Sequence, residues 1–201
     1  MKLPSGAVYE APEEFGDGYD RGFGKEYILQ LPGITEGNVE DGLGEVLRNP
    51  NAIEQDGPHQ IVIGDNPFGD GQLALRMIKG TIVGVDPAYE DPLGEQIRLP
   101  EHTIEKIKDR HPEIGQTNEE VVTTVGKILE NADEIYIDDL GWRMYVTEVG
   151  DKIMFALVYK GKVITAYHPQ KEASRERTIQ YIKDQIEKYG FEKIYEDRKI
   201  I

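Results

Sequence analysis

The chain has 201 residues and a mass of 22.7 kDa, room for one ordinary domain or two small ones, and no cysteine, which excludes disulfide frameworks, thiolate-held zinc, Fe–S clusters and cysteine nucleophiles. Hydrophobic residues make up 38%, no run approaches the ~20 apolar residues of a membrane helix, and the start Met1-Lys2-Leu3-Pro4-Ser5-Gly6 lacks a signal peptide's apolar run; the expectation is a cytoplasmic protein with no membrane partner. The net charge of −15 opposes binding to other polyanions, yet it is divided unevenly. Residues 1–95 carry 18 acidic and 6 basic side chains (−12), and residues 96–201 carry 20 and 17 (−3).

In chain order, Gly16-Asp17-Gly18 comes first and reads, like Gly69-Asp70-Gly71 further on, as a loop without the spacing of a calcium site. Thr35, Val39, Leu43, Gly44, Val46, Leu47, Asn49 and Ile53 then match Thr117, Val121, Val125, Gly126, Ile128, Leu129, Asn131 and Ile135 at a constant offset of 82. Their apolar positions run i, i+4, i+7, i+8, the stripe of an amphipathic helix. Thr117 with Glu120 forms a T-x-x-E capping box, and Thr35 occupies the matching place. Downstream, Gln60-Ile61-Val62-Ile63 resembles Arg143-Met144-Tyr145-Val146, and Met77-Ile78-Lys79-Gly80 resembles Val158-Tyr159-Lys160-Gly161. Helix, strand and Lys-Gly hairpin in the same order indicate a tandem duplication.

The expected fold class is therefore α+β: two tandem small units, each of one or two helices on an antiparallel sheet of three to four strands, plus a C-terminal helix. An acidic, glycine-rich copy spans 1–90 and a second copy spans 91–201, joined near the Pro/Gly-rich stretch 86–94.

In the second copy a helix opens after Pro100 and stops at Pro112, with Ile104, Ile107 and His111 on one side. A capped helix follows over about 118–130. Strands are predicted over 142–148, 153–159 and 162–168, with Lys160-Gly161 as a two-residue turn. Tight turns would place Leu157 opposite Ile164 and Phe155 opposite Ala166. One face then carries Trp142, Met144, Val146, Phe155, Leu157, Tyr159, Ile164 and Ala166, the expected core beneath the two helices. The other presents Arg143, Tyr145, Thr147, Thr165 and Tyr167. A cation, phenols and hydroxyls suit a phosphodiester and a stacked base; they equally suit a solvated or buried sheet face. A charged helix over 171–189, with an Ile179/Ile182/Ile186/Tyr189 stripe and Gly190 at its end, is expected on the domain edge.

The sequence contains no G-x-S-x-G, no Walker A, no H-E-x-x-H and no dinucleotide-binding fingerprint. What remains is Arg110-His111-Pro112, with His102, Lys106, Lys108, Arg143 and His168. Metal-free RNA cleavage needs a base for the 2′-hydroxyl, an acid for the leaving 5′-oxygen and cations for the phosphorane, which His and Arg supply near neutral pH. Nine positions separate His102 from His111, half a turn apart on one helix, so both reach one pocket only if the helix begins after His102. His111 also fits a buried structural position.

The pattern Ile97-Arg98-Leu99-Pro100, His102 through Arg110-His111-Pro112, a helix ending Ile-Leu-Glu-Asn, and a last strand Lys162-Val-Ile-Thr-Ala-Tyr167 resembles the phage-associated Barnase/EndoU/colicin/RelE-like nuclease families, over roughly residues 96–168. The resemblance implies a small helix-then-sheet domain acting as a metal-independent ribonuclease of phage or mobile-element type. It implies His111, His102, Arg110 and Thr165 as catalytic residues, with Arg143, Tyr145, Tyr167 and Lys160 for substrate, no metal and no cofactor. RNA or a host protein is the expected partner, in the host cytoplasm if the gene is a phage's. The first copy has no counterpart of Arg110-His111 and would be a degenerate duplicate. The alternative is a non-catalytic acidic binding protein on the same fold, an inhibitor or counter-defence factor sequestering a protein, nucleotide or small ligand.

Overall fold

The computed structural model of the chain describes residues 29, 31, 33–169 and 174–201; the Gly16-Asp17-Gly18 loop lies outside them. Helices and a mostly antiparallel set of strands make this an α+β protein, divided into two compact units, Met1–Ala88 and Tyr89–Ile201. No helix among the described residues is long and apolar enough to cross a membrane.

In the first unit helix α1 (Val39–Arg48) precedes an antiparallel meander of β1 (Ala52–Asp56), β2 (His59–Asp65), β3 (Gln72–Ile78) and β4 (Thr81–Glu90). The stripe Val39, Leu43, Val46 and Leu47 is buried, with α1 on β2 and β3. Asn38, not Thr35, stands at the N-cap: its Oδ1 accepts from the Thr35 amide at 2.8 Å and its Nδ2 donates to the Gly33 carbonyl at 3.0 Å. Ile53, matched to Ile135 in the repeat, lies on β1.

The second unit contains β5 (Gln96–Arg98), α2 (Glu101–Arg110), α3 (Asn118–Glu130), β6 (Glu134–Ile137), β7 (Trp142–Val149), β8 (Lys152–Tyr159), β9 (Lys162–Tyr167), α4 (Arg175–Tyr189) and β10 (Glu192–Glu196). Its strands lie in the order β5-β9-β8-β7-β6-β10, six rather than three to four. The Thr117/Glu120 capping box is formed, satisfying two amides at the start of α3.

Strand pairing follows the same register in both units. Ile53 opposes Val62 as Ile135 opposes Tyr145, and Gln60 opposes Met77 as Arg143 opposes Val158. Both Lys-Gly turns are two-residue turns with positive φ at each position, 50° and 79° at Lys79-Gly80, 50° and 66° at Lys160-Gly161, the conformation that matches the twist of flanking strands. Both are followed by a one-residue bulge: Val83 is skipped so that Gly84 opposes Arg76, and Ile164 is skipped so that Thr165 opposes Leu157.

That bulge changes the expected faces. Phe155 opposes Tyr167 and Ala156 opposes Ala166, so Thr165 and Tyr167 share a face with Phe155, Leu157 and Met144, while Arg143 and Tyr145 lie on the other. Both faces are covered. Tyr145, Ala156, Val158, Val163 and Ala166 are buried on the side where α2 packs on β9 and α3 on β7 and β8. Met144, Val146 and Phe155 instead pack with Ile182 of α4, so α4 covers a sheet face rather than a domain edge.

Gly44 of α1 and Gly126 of α3 occupy matching positions with different surroundings. A Cβ on Gly126 would stand 2.8 Å from the buried Tyr89 ring, whose hydroxyl donates to the Val122 carbonyl at 2.8 Å; on Gly44 it would meet only the Arg48 guanidinium, at 3.1 Å. Overpacking costs about 1–3 kcal/mol, whereas Gly→Ala in a helix gains up to about 1 kcal/mol. Gly126→Ala is therefore expected to lower the urea midpoint and Gly44→Ala to raise it. Shifts of the same sign would refute the assignment.

Candidate active site

The site forms where α2 ends beside β9. Beyond Lys162, the partner of Arg98 on β5, side chains from α2 satisfy the β9 carbonyls: Thr103 Oγ1 donates to Val163 at 3.1 Å and Lys106 Nζ to Ile164 at 3.2 Å. These bonds lay the helix along the strand. They deliver its C-cap residue, His111, to the end of β9, where its ring stacks on Tyr167 with centroids 4.9 Å apart and an 18° interplanar angle.

His111 Nδ1 lies 3.4 Å from Oε1 of Glu113, whose side chain is 8% exposed. A sheltered carboxylate thus stands beside the imidazole. The Tyr167 ring sits 4.1 Å from Phe155, and its hydroxyl pairs with that of Tyr181 on α4 at 3.1 Å. Burial pushes the Tyr167 phenol well above its ordinary range, helped by the bond to Tyr181. Against Tyr167, Tyr181, Phe155 and Trp142 opens a cleft of about 550 Å³ between the sheet and α4.

His111 and Tyr167 are thus brought together, with Thr165 two residues earlier on the same strand face and Arg110 exposed at the last position of α2. His102 is exposed at the other end of α2, roughly 13 Å away along a helix rising 1.5 Å per residue. The other expected substrate residues lie elsewhere. Arg143 makes a two-pronged bond to Glu95, and fully buried Tyr145 donates to Asp91 at 2.7 Å. Bonding to Glu95 holds the Arg143 guanidinium pKa up. Lys160 is exposed at the β8–β9 turn, and His168 is buried with Nδ1 2.7 Å from the Ile153 carbonyl. Glu113 and Tyr181 escaped the sequence reading. Glu113 directly follows His111-Pro112 and was within reach of a search for a carboxylate beside the imidazole. Tyr181 had no local signal.

Tyr89, Tyr136, Tyr145 and Tyr167 all have raised phenol pKa values, with burial as the largest cause, and Tyr136 is pushed up to about 12. The unfolded chain ionises near 10 and the folded one later, so this stability is complete below pH 10 and is lost as pH rises toward 12 and beyond. Phenolate absorbance of the native protein is expected to stop short of the total for 11 tyrosines and to complete only with unfolding. Full ionisation before loss of secondary structure would contradict it.

Among the described residues no group of three or more His, Asp or Glu side chains is placed to hold a metal ion. Fold and site together define an α+β protein in which an imidazole beside a carboxylate stacks on a tyrosine that also lines an aromatic cleft. No family model, curated protein or solved structure compared with the chain matches it.

Proposed function

We propose that the second unit is a metal-independent ribonuclease-like domain of phage or mobile-element type, acting on RNA in the cytoplasm, and that the first is a degenerate copy of it. The observation that carries this reading is the His111–Glu113 pair stacked on Tyr167. In the reaction His111 takes the 2′-hydroxyl proton and the 2′-oxygen attacks phosphorus. The P–O5′ bond breaks, and the 5′-oxygen takes a proton from water or the imidazolium, leaving a 2′,3′-cyclic phosphate and a 5′-hydroxyl. Arg110, exposed beside His111, supplies positive charge toward the phosphorane. Thr165 offers a hydroxyl from the same strand face as Tyr167. The copy relationship is supported by the shared register, turn and bulge; in the first unit Gly84 and Asp86 stand where Thr165 and Tyr167 stand in the second.

The test is incubation of the purified chain with RNA in the presence of a chelator, scored for 2′,3′-cyclic ends. A second reading, a non-catalytic binder of a protein or nucleotide, is favoured by the net charge of −15 and the absence of Lys and Arg from the cleft lining. Saturable binding without cleavage would select it.

A further inference from the structure

We infer that the cleft between the sheet and α4 is a subsite for one unpaired nucleobase, which enters as a neutral ring and leaves its phosphate outside; this rests on the RNA reading above. Six rings line the cleft: Trp142, Phe155, Tyr167, Tyr181, Tyr189 and Phe191. Its volume of about 550 Å³ lies within the range of sites that enclose small planar ligands, and aromatic walls stack any base regardless of sequence. Two large side chains stand in water, Tyr189 on the cleft wall at 53% exposure and Leu140 beside it at 71%, apolar surface that a bound ring would cover.

The polar groups decide which part of a nucleotide enters. Asp138 is fixed by accepting the Leu140 and Trp142 amides on Oδ1 at 3.0 and 2.7 Å, and Gln185 stands on the α4 wall. A carboxylate accepts ring N–H and amino donors and repels phosphate. No Lys or Arg lines the cleft. Cations stand at its edges: Lys188 Nζ lies 4.8 Å from the Tyr189 ring, and Trp142 stacks on Tyr159 at 4.8 Å and 17°, with Lys160 Nζ 5.2 Å from that second ring. Tyr167, which carries His111, and Trp142, near Lys160, line opposite ends of the cleft, because Phe155 pairs with Tyr167 and Tyr159 with Lys162; the base fills the cleft and the ribose–phosphate stays outside.

Trp142 is the sole tryptophan of the chain, so its fluorescence reports occupancy directly. The full chain is titrated separately with adenosine, guanosine, cytidine, uridine, ribose 5-phosphate and N-acetyltyrosinamide as a peptide mimic. Saturable quenching by one or more nucleosides is expected, with none from ribose 5-phosphate or the tyrosine derivative. Tyr189→Ala and Asp138→Asn, at positions whose change spares the buried core, should each weaken nucleoside binding about tenfold. Absence of quenching by every nucleoside, equal response to the tyrosine derivative, or unchanged affinity in both variants would overturn the assignment. Nucleoside binding without RNA cleavage would leave the subsite standing and reject the cleavage reading. Cleavage without nucleoside quenching would do the reverse.

Discussion

Replacing His111 with alanine is expected to lower chelator-resistant RNA cleavage by about 10²-fold or more, the typical contribution of a positioned acid–base group, while RNA affinity is retained. The imidazole stacks on the Tyr167 ring, and the Glu113 carboxylate stands 3.4 Å from its Nδ1. Glu113→Gln should therefore reduce kcat with KM unchanged, by less than the loss of the ring itself, because it leaves the stack in place. Tyr167→Phe keeps the stacked ring and removes only the hydroxyl paired with Tyr181, so its kcat should stay within a few-fold of wild type. Undiminished cleavage by His111→Ala would remove His111 from the reaction. A kcat collapse in Tyr167→Phe would shift the proton transfer to the phenol.

Glu134→Ala is expected to destabilise the second unit by about 3 kcal/mol, the lower end for breaking a buried charge pair, since the partner amine retains some water. The Glu134 side chain is fully buried and accepts from the Tyr136 hydroxyl and the Ile201 amide, each at 3.1 Å, and from Lys193, whose side chain is 30% exposed. Strand β10 shows mostly exposed residues along its length. Its attachment therefore depends on pairing with β6 and on two carboxylates, Glu134 and the neighbouring Asp133, which takes Arg198 at 3.0 and 3.1 Å. Glu134→Gln keeps one acceptor oxygen for Tyr136 and Ile201 and loses only the oxygen that takes Lys193, so it should lose clearly less. Urea unfolding measures the difference, and hydrogen exchange should show β10 opening first in the alanine variant. An unchanged midpoint would mean that the C-terminal strand contributes nothing to folding.

Much of the fold was legible because period and punctuation agree. The Val121/Val125/Ile128/Leu129 stripe, the Thr117/Glu120 box and the Lys-Gly turns each have a local cause, and each forms where the pattern places it. Strands β5 and β6, three and four residues long, are too short for alternation to register. The bulge at Ile164 was invisible for a different reason: Lys-Val-Ile-Thr-Ala-Tyr alternates equally well in either register, and a slip of one residue exchanges the faces. Thr165 and Tyr167 were thus placed beside Tyr145 when they face away from it. Arg143 and Tyr145 looked like an open polar surface because their partners, Glu95 and Asp91, come from a distant loop. Glu113 and Tyr181 meet His111 and Tyr167 only after folding.

The bulge is shared by the two units. The first unit places Gly84 and Asp86 where the second places Thr165 and Tyr167, so no backbone rebuilding stands between one strand and the other. A two-residue graft would still fail. A Cβ at Gly84 would sit 2.3 Å from the Arg76 guanidinium, which is itself paired with Asp86 at 3.0 Å. Arginine, glycine and aspartate form an interlocked set, and transplanting the strand chemistry requires exchanging all three together for leucine, threonine and tyrosine.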